Sequence, residues 1–74
     1  MYQVKVRVKE LCQERNWSLN ELSIRSGVTY STVRRYAMQP MEKLNMDAIC
    51  RIKETFDCSW EELFEVQGDK SFDD

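Results

Sequence analysis

The first residues of the chain alternate between apolar and polar side chains with a period of two. The segment 2–8, YQVKVRV, therefore predicts a short strand that extends to about Val6. From Val8 the apolar residues change to helical spacing, which predicts a first helix to about Arg15. Asn16 can adopt a left-handed backbone conformation and is expected to end this helix.

Two further helices are predicted from their start and stop signals. Ser18 and Glu21 have the spacing of a capping box, in which the hydroxyl accepts from a free backbone N–H and the carboxylate reaches back. The second helix is expected to end near Arg25, because Gly27 can adopt a positive φ without steric cost. Thr29 is a favourable N-cap and predicts the start of a third helix.

The third helix is expected to end near Ala37, because Pro40 cannot continue it and begins a loop. Asn45 then predicts the N-cap of a fourth helix, Met46–Phe56, whose apolar residues recur at helical spacing. The residues expected on its buried face are Met46, Ile49, Ile52 and Phe56.

A second capping box, Ser59 with Glu62, predicts a short fifth helix over 60–65. Val66 lies beyond it and could pair as a strand with residues 3–6. The predicted fold class is therefore all-α with five helices, together with a short N-terminal β-like segment. The residues expected on the buried face of the fifth helix are Trp60, Leu63 and Phe64.

The length of 74 residues fits one small domain, which we place at 1–67. The segment 68–74, GDKSFDD, is polar and acidic and is expected to be a disordered tail. The sequence has no apolar run long enough for a membrane span and no secretory leader pattern. We therefore expect a cytoplasmic protein without a membrane partner.

Composition argues against a metal site, a cofactor and an enzyme. The three cysteines are Cys12, Cys50 and Cys58, and the chain has no histidine. Their spacing matches no zinc signature, so buried reduced thiols are expected. There is also no Gly-rich phosphate loop and no nucleophile beside a base.

The net charge of −2 is unevenly distributed along the chain. Residues 1–44 carry eight basic and four acidic side chains, whereas residues 45–74 carry three basic and nine acidic ones. The first segment can therefore meet phosphates while the second faces away.

The segment 18–38, SLNELSIRSGVTYSTVRRYAM, matches the pattern of a helix-turn-helix. This motif needs an apolar residue and a small residue on its first helix, a turn, and apolar anchors under its second helix. A helix-turn-helix places its second helix in the major groove of DNA. The six positions that meet these requirements are Leu22, Ser23, Gly27, Val28, Val33 and Tyr36.

The opposite face of the third helix carries side chains suited to contacts with bases. Tyr30 and Arg34 are four residues apart, as are Ser31 and Arg35, so they form two adjacent rows. Arginine can pair bidentately with guanine, and serine or threonine near a helix start suits phosphates or base edges. Met38 is also expected to point outward.

Residues 6–66 resemble the Cro and phage-repressor type of helix-turn-helix domain, the XRE-like family. The resemblance implies a lambda-repressor-like fold of five helices with the motif in helices two and three. It also implies a DNA-binding transcriptional regulator without enzymatic activity. The matching positions are Leu11, Ser18, Glu21, Leu22, Gly27, Val28, Thr29, Ser31, Thr32, Val33, Arg35, Ile49, Ile52, Leu63 and Phe64.

The resemblance also assigns roles to individual residues. It places a recognition helix at about 29–38 in the major groove, with Thr29 and Thr32 near the DNA backbone and with Lys43 and Asn45 touching phosphate. Ser18, at the start of the second helix, is a further candidate. The residues expected to face the bases are Tyr30, Ser31, Arg34 and Arg35.

Two departures from the family pattern keep a second hypothesis open. Leu19 stands where the family usually has Gln, and the loop QPMEKL offers only Lys43, beside Glu42, where the family is usually basic. The first hypothesis is a homodimeric regulator that binds double-stranded DNA. The alternative is an antitoxin-like or accessory module on the same fold that binds a protein partner and has weak DNA affinity.

Overall fold

The structure is a computed structural model that describes residues 2–67. Five helices lie between two short strands in the chain. The predicted acidic tail, 68–74, lies outside the described residues. In chain order the elements are β1 (Gln3–Val6), α1 (Val8–Glu14), α2 (Leu19–Ser26), α3 (Tyr30–Met38), α4 (Met46–Phe56), α5 (Trp60–Leu63) and β2 (Phe64–Gln67).

The two strands form an antiparallel sheet that joins the ends of the described segment. Val4 is opposite Val66 and Val6 is opposite Phe64, so the predicted pairing of these segments is confirmed. On its other edge, Val4 exchanges two backbone hydrogen bonds of 2.8 Å with Met41, in the loop after α3. The sheet therefore ties both ends of the segment and the α3–α4 loop together.

A single apolar core lies among the helices and under the sheet. The largest completely buried side chains come from every helix and from β1, and Trp17 and Leu19 are among the residues that pack against them from the rim. This arrangement fixes the relative positions of α2, α3 and α4. The core residues are Val6, Val8, Leu11, Cys12, Leu22, Val28, Val33, Tyr36, Ala37, Ala48, Ile49, Ile52, Phe56, Cys58 and Leu63.

Two residues that were expected in the core are exposed instead. Met46, at the start of α4, is 62% exposed, and Ala48 and Ile49 are the first residues of this helix that are buried. Trp60 is 43% exposed; its ring stacks on Phe64 with centroids 5.6 Å apart.

The helix α5 ends at Leu63 rather than near residue 65, because the chain becomes extended at Phe64 to enter β2.

The helix starts confirm some of the predicted caps and contradict others. Asn45 caps α4 and Ser59 with Glu62 forms a complete capping box on α5, as predicted. Ser18 caps α2, but its box is incomplete, because the Glu21 carboxylate binds Arg25 instead of reaching back. Thr29 occupies the N-cap of α3 without a side-chain cap hydrogen bond.

None of the helices formed by residues 2–67 has both the length and the apolarity needed to cross a membrane.

Candidate nucleic-acid interface

The turn between α2 and α3 is fixed by its backbone and by two serines. Gly27 has a φ of 77°, in the left-handed region that favours glycine. The Ser23 hydroxyl donates to the Val28 carbonyl at 2.6 Å, and the Ser26 hydroxyl accepts from the Val28 N–H at 3.2 Å. These contacts make Ser23 more than a small spacer, since its hydroxyl ties α2 to the segment that leads into α3.

The inner face of α3 is anchored in the core. Val33, Tyr36 and Ala37 are buried, as the motif predicted. The Tyr36 hydroxyl reaches beyond the core and accepts the backbone N–H of Asn45 at 3.0 Å. Asn45 in turn accepts from the Ala48 N–H at 3.0 Å, so the end of α3 and the start of α4 are held in register.

The outer face of α3 forms a shallow, open groove. Arg34 and Arg35 are exposed there, and within the part of the chain that the structure describes their guanidinium groups have neither a hydrogen-bond partner nor an ion-pair partner. Both are therefore available for a partner that accepts hydrogen bonds and carries negative charge. The residues that line the groove are Tyr30, Ser31, Arg34, Arg35, Met38 and Gln39.

A second depression, the α3–α4 cleft, lies where the starts of these two helices meet. It brings together Thr29, Thr32 and Asn45, three of the residues predicted to lie near DNA. The Thr29 hydroxyl donates to that of Thr32 at 3.0 Å, so the two side chains are tied together at the start of α3. The residues that line the cleft are Gly27, Val28, Thr29, Thr32, Asn45, Asp47, Ala48 and Arg51.

Two predicted site residues line neither depression. The Ser18 hydroxyl is occupied as the α2 cap, where it accepts from the Glu21 N–H at 3.0 Å. Lys43 is exposed in the loop between α3 and α4. Both residues therefore lie outside the groove and the cleft beside α3, and their contact with DNA stays a prediction.

Sequence reasoning missed Gln39, which lines the groove, and Asp47 and Arg51, which line the cleft. Asp47 and Arg51 are four residues apart on α4, and their spacing alone indicates an ion pair. Arg51 Nε lies 2.9 Å from Asp47 Oδ2. The position of this pair beside α3 depends on long-range packing, which the spacing does not contain.

The buried thiols offer no nucleophile. Burial raises the pKa of Cys12 and, together with the Glu62 charge, that of Cys58, so both stay protonated at neutral pH. Among residues 2–67 no three side chains of the types His, Cys, Asp and Glu converge as they would around a metal ion.

Comparisons with known proteins agree with this geometry. The family described as the Cro/C1-type HTH DNA-binding domain matches residues 7–69. A solved structure of the transcriptional regulator VanUg has the same fold, with a TM-score of 0.74 and 20% identity over 92% of this chain and 89% of that one. No curated protein sequence matches the chain.

The family match covers most of the chain and confirms the helix-turn-helix, the lambda-repressor-like fold and the expectation that the domain is not an enzyme. The chain belongs to the Cro/C1-type family of helix-turn-helix DNA-binding domains, a family of non-enzymatic DNA-binding regulators.

Proposed function

We propose that this protein is a sequence-specific transcriptional regulator that inserts α3 into the major groove of double-stranded DNA. The observation that carries the proposal is the pair Arg34 and Arg35, which have no partner among residues 2–67 and lie on a helix whose opposite face is buried. The fold similarity to the transcriptional regulator VanUg supports the same role.

The base contacts come from the groove on α3. Arg34 and Arg35 pair bidentately with guanine O6 and N7, and each good pair contributes about 1–3 kcal/mol of discrimination against a wrong base. Tyr30 offers its ring to a thymine methyl group, and Ser31 offers a hydroxyl to a base edge.

The phosphate contacts come from the margins of α3. Thr29, Thr32 and Asn45 bind the backbone from the α3–α4 cleft, while Ser18 and Lys43 bind it from α2 and from the following loop. Such contacts set the register of the protein on the duplex but do not select its sequence.

The regulator acts as a homodimer on a palindromic or near-palindromic site. A single domain of this size presents one recognition helix, and two half-sites one helical turn apart require two copies. The DNA-binding unit spans 1–67, with 68–74 as an acidic tail, and it works in the cytoplasm at the nucleoid.

Selection of duplexes from a randomised library by the full chain tests this proposal. Enrichment of a motif with two related half-sites supports a dimeric reader of sequence, and the mass of the complex gives its stoichiometry. Binding to all duplexes without enrichment contradicts the proposal.

One observation favours the alternative of a protein-binding module. Ile24, on α2, is 71% exposed, although it is a large apolar residue. Two results together would support the alternative. The wild type binds DNA without sequence preference but co-purifies with a protein, and Ile24→Ser abolishes that co-purification. An enriched DNA motif that Ile24→Ser leaves unchanged contradicts it.

A further inference from the structure

Arg51 extends from α4 over the turn of the helix-turn-helix. Its Nη1 lies 3.4 Å from the point that a Cβ on residue 27 would occupy, so the guanidinium packs above the backbone of Gly27. About half of the side chain remains exposed. A residue in the acidic C-terminal part of the sequence thus places its charge beside the start of α3.

Within residues 2–67 the Arg51 guanidinium is hydrogen-bonded through its Nε edge alone. Its Nε is 2.9 Å from Asp47 Oδ2, whereas no hydrogen bond within residues 2–67 involves Nη1 or Nη2. An arginine fixed through Nε and open at its Nη atoms can still form the short, charge-assisted bonds that phosphate oxygens accept.

The residues around Arg51 favour a ligand whose oxygens accept hydrogen bonds. Arg51 lines the α3–α4 cleft with Thr29 and Thr32. Both threonines belong to the start of α3, so the cleft is continuous with the helix that presents the base-reading groove. The Thr32 hydroxyl accepts from Thr29, and its own hydrogen remains available to a ligand oxygen.

We propose that Arg51 binds a phosphate of the DNA backbone beside the start of the recognition helix, with Asp47 as its positioning residue. This inference rests on the proposed function, because it requires α3 to face the groove. It also supplies a cation where the loop QPMEKL has only Lys43 beside Glu42.

Asp47 has two opposing effects on this contact. Its carboxylate fixes Arg51 over the turn, but it also places a negative charge close to the bound phosphate. The repulsion acts whether or not Arg51 is present, whereas the positioning acts only through Arg51. Asp47→Asn is therefore expected to favour DNA binding less in the wild-type background than in Arg51→Gln.

The test compares Arg51→Gln with Lys53→Gln in the full chain. Lys53 lies on the same helix, but its Nζ is 5.0 Å from the ring centroid of Trp60, and it does not line the cleft. Both variants remove one positive charge, so they share any general loss of electrostatic attraction. Thermal unfolding of both variants confirms that each remains folded.

We expect Arg51→Gln to weaken binding to every duplex by roughly three- to tenfold and to reduce the magnitude of the log–log salt slope by about 0.9, as for one lost phosphate contact. Sequence preference is expected to stay unchanged. Lys53→Gln is expected to leave the salt slope within about 0.3 of wild type.

Equal salt slopes for the two variants, or a change of sequence preference in Arg51→Gln alone, would overturn the assignment. A less favourable effect of Asp47→Asn in the wild-type background than in Arg51→Gln would support the positioning role of Asp47, and equal effects in the two backgrounds would contradict it. If the wild type binds every duplex equally, the proposed reading of sequence fails, whereas the slope difference between Arg51→Gln and Lys53→Gln still decides the phosphate contact. If the wild type binds no duplex, both proposals fail.

Discussion

The helices α3 and α4 have similar lengths and both bury one face, but they differ in how their polar groups find partners within the chain. In α4, Asn45 caps the start, Asp57 closes the end in a left-handed conformation, and Asp47 pairs with Arg51. In α3, the start lacks a side-chain cap and both outer arginines are without protein partners among the described residues.

This difference assigns distinct roles to the two helices. The polar groups of α4 are largely satisfied within the chain, so its formation does not depend on a ligand. Among residues 2–67 no side chain caps the start of α3, so its first-turn backbone N–H groups and its outer arginines remain open to an external acceptor. Core packing therefore has to hold α3 in place, through Val33, Tyr36 and Ala37.

The largest effect is expected from the buried face of α4. Ile52→Ala removes a completely buried side chain and is expected to lower the free energy of unfolding by about 2–5 kcal/mol. Met46→Ala on the same helix is the control, because Met46 is exposed and its loss is expected to cost less than about 0.5 kcal/mol. Denaturant unfolding measures both, and equal losses would contradict the assignment of the core.

The next effect concerns the outer face of α3. Arg35→Ala is expected to relax the preference for one base pair by about 1–3 kcal/mol while it leaves stability unchanged. Lys43→Ala is expected to weaken all sites evenly and to flatten the salt slope by about one unit. Binding to a matched and a single-mismatch duplex at several salt concentrations separates the two roles, and equal behaviour of the two variants would refute them.

A smaller effect is expected from the two helix starts. Asn45→Ala removes the hydrogen bond to the Ala48 N–H and is expected to reduce the free energy of unfolding by about 1 kcal/mol. Thr29→Ala removes no cap bond and is expected to cost less than half as much. Thermal unfolding without DNA compares them, and a larger loss for Thr29→Ala would show that α3 depends on its N-cap residue.

The smallest effect comes from the capping box of α5, which contrasts with the open start of α3. The Ser59 N–H donates to Glu62 Oε1 at 2.9 Å and lowers the pKa of Glu62. Because the folded pKa is below the unfolded one, this stabilisation is present at neutral pH and is lost as the pH falls through the folded value.

Unfolding of wild type and Glu62→Gln at about pH 7 and about pH 3 measures this effect. We expect the wild type to lose more stability on acidification than the variant does. Equal losses would mean that the Glu62 charge does not contribute to the cap.

Much of the fold follows from local sequence signals. Gly27, Asn45 and the Ser59–Glu62 pair act within one turn of a helix, so their effects could be predicted without tertiary information. The inner and outer faces of α3 could be predicted as well, because helical spacing alone separates Val33 from Arg34.

The errors arise where another contact, local or tertiary, competes with the predicted one. Glu21 has the spacing of a capping box, but Arg25 is one turn away and takes its carboxylate at 2.7 Å. Met46 has helical spacing with Ile49, yet α4 turns its first residue to solvent. Arg51 belongs to an acidic segment of the sequence, and only the packing of α4 brings it beside Gly27.

The pairing of β1 with β2 has a consequence for the order of folding. Gln3 lies opposite Gln67, so this contact closes almost the entire described segment into a ring. Closing so long a loop costs entropy that only the packed helices can offset, so we expect the strand pair to form last. The backbone amides of β1 would then exchange with solvent before those of α4, and opening of the strand pair would release α1 from its attachment at Leu63.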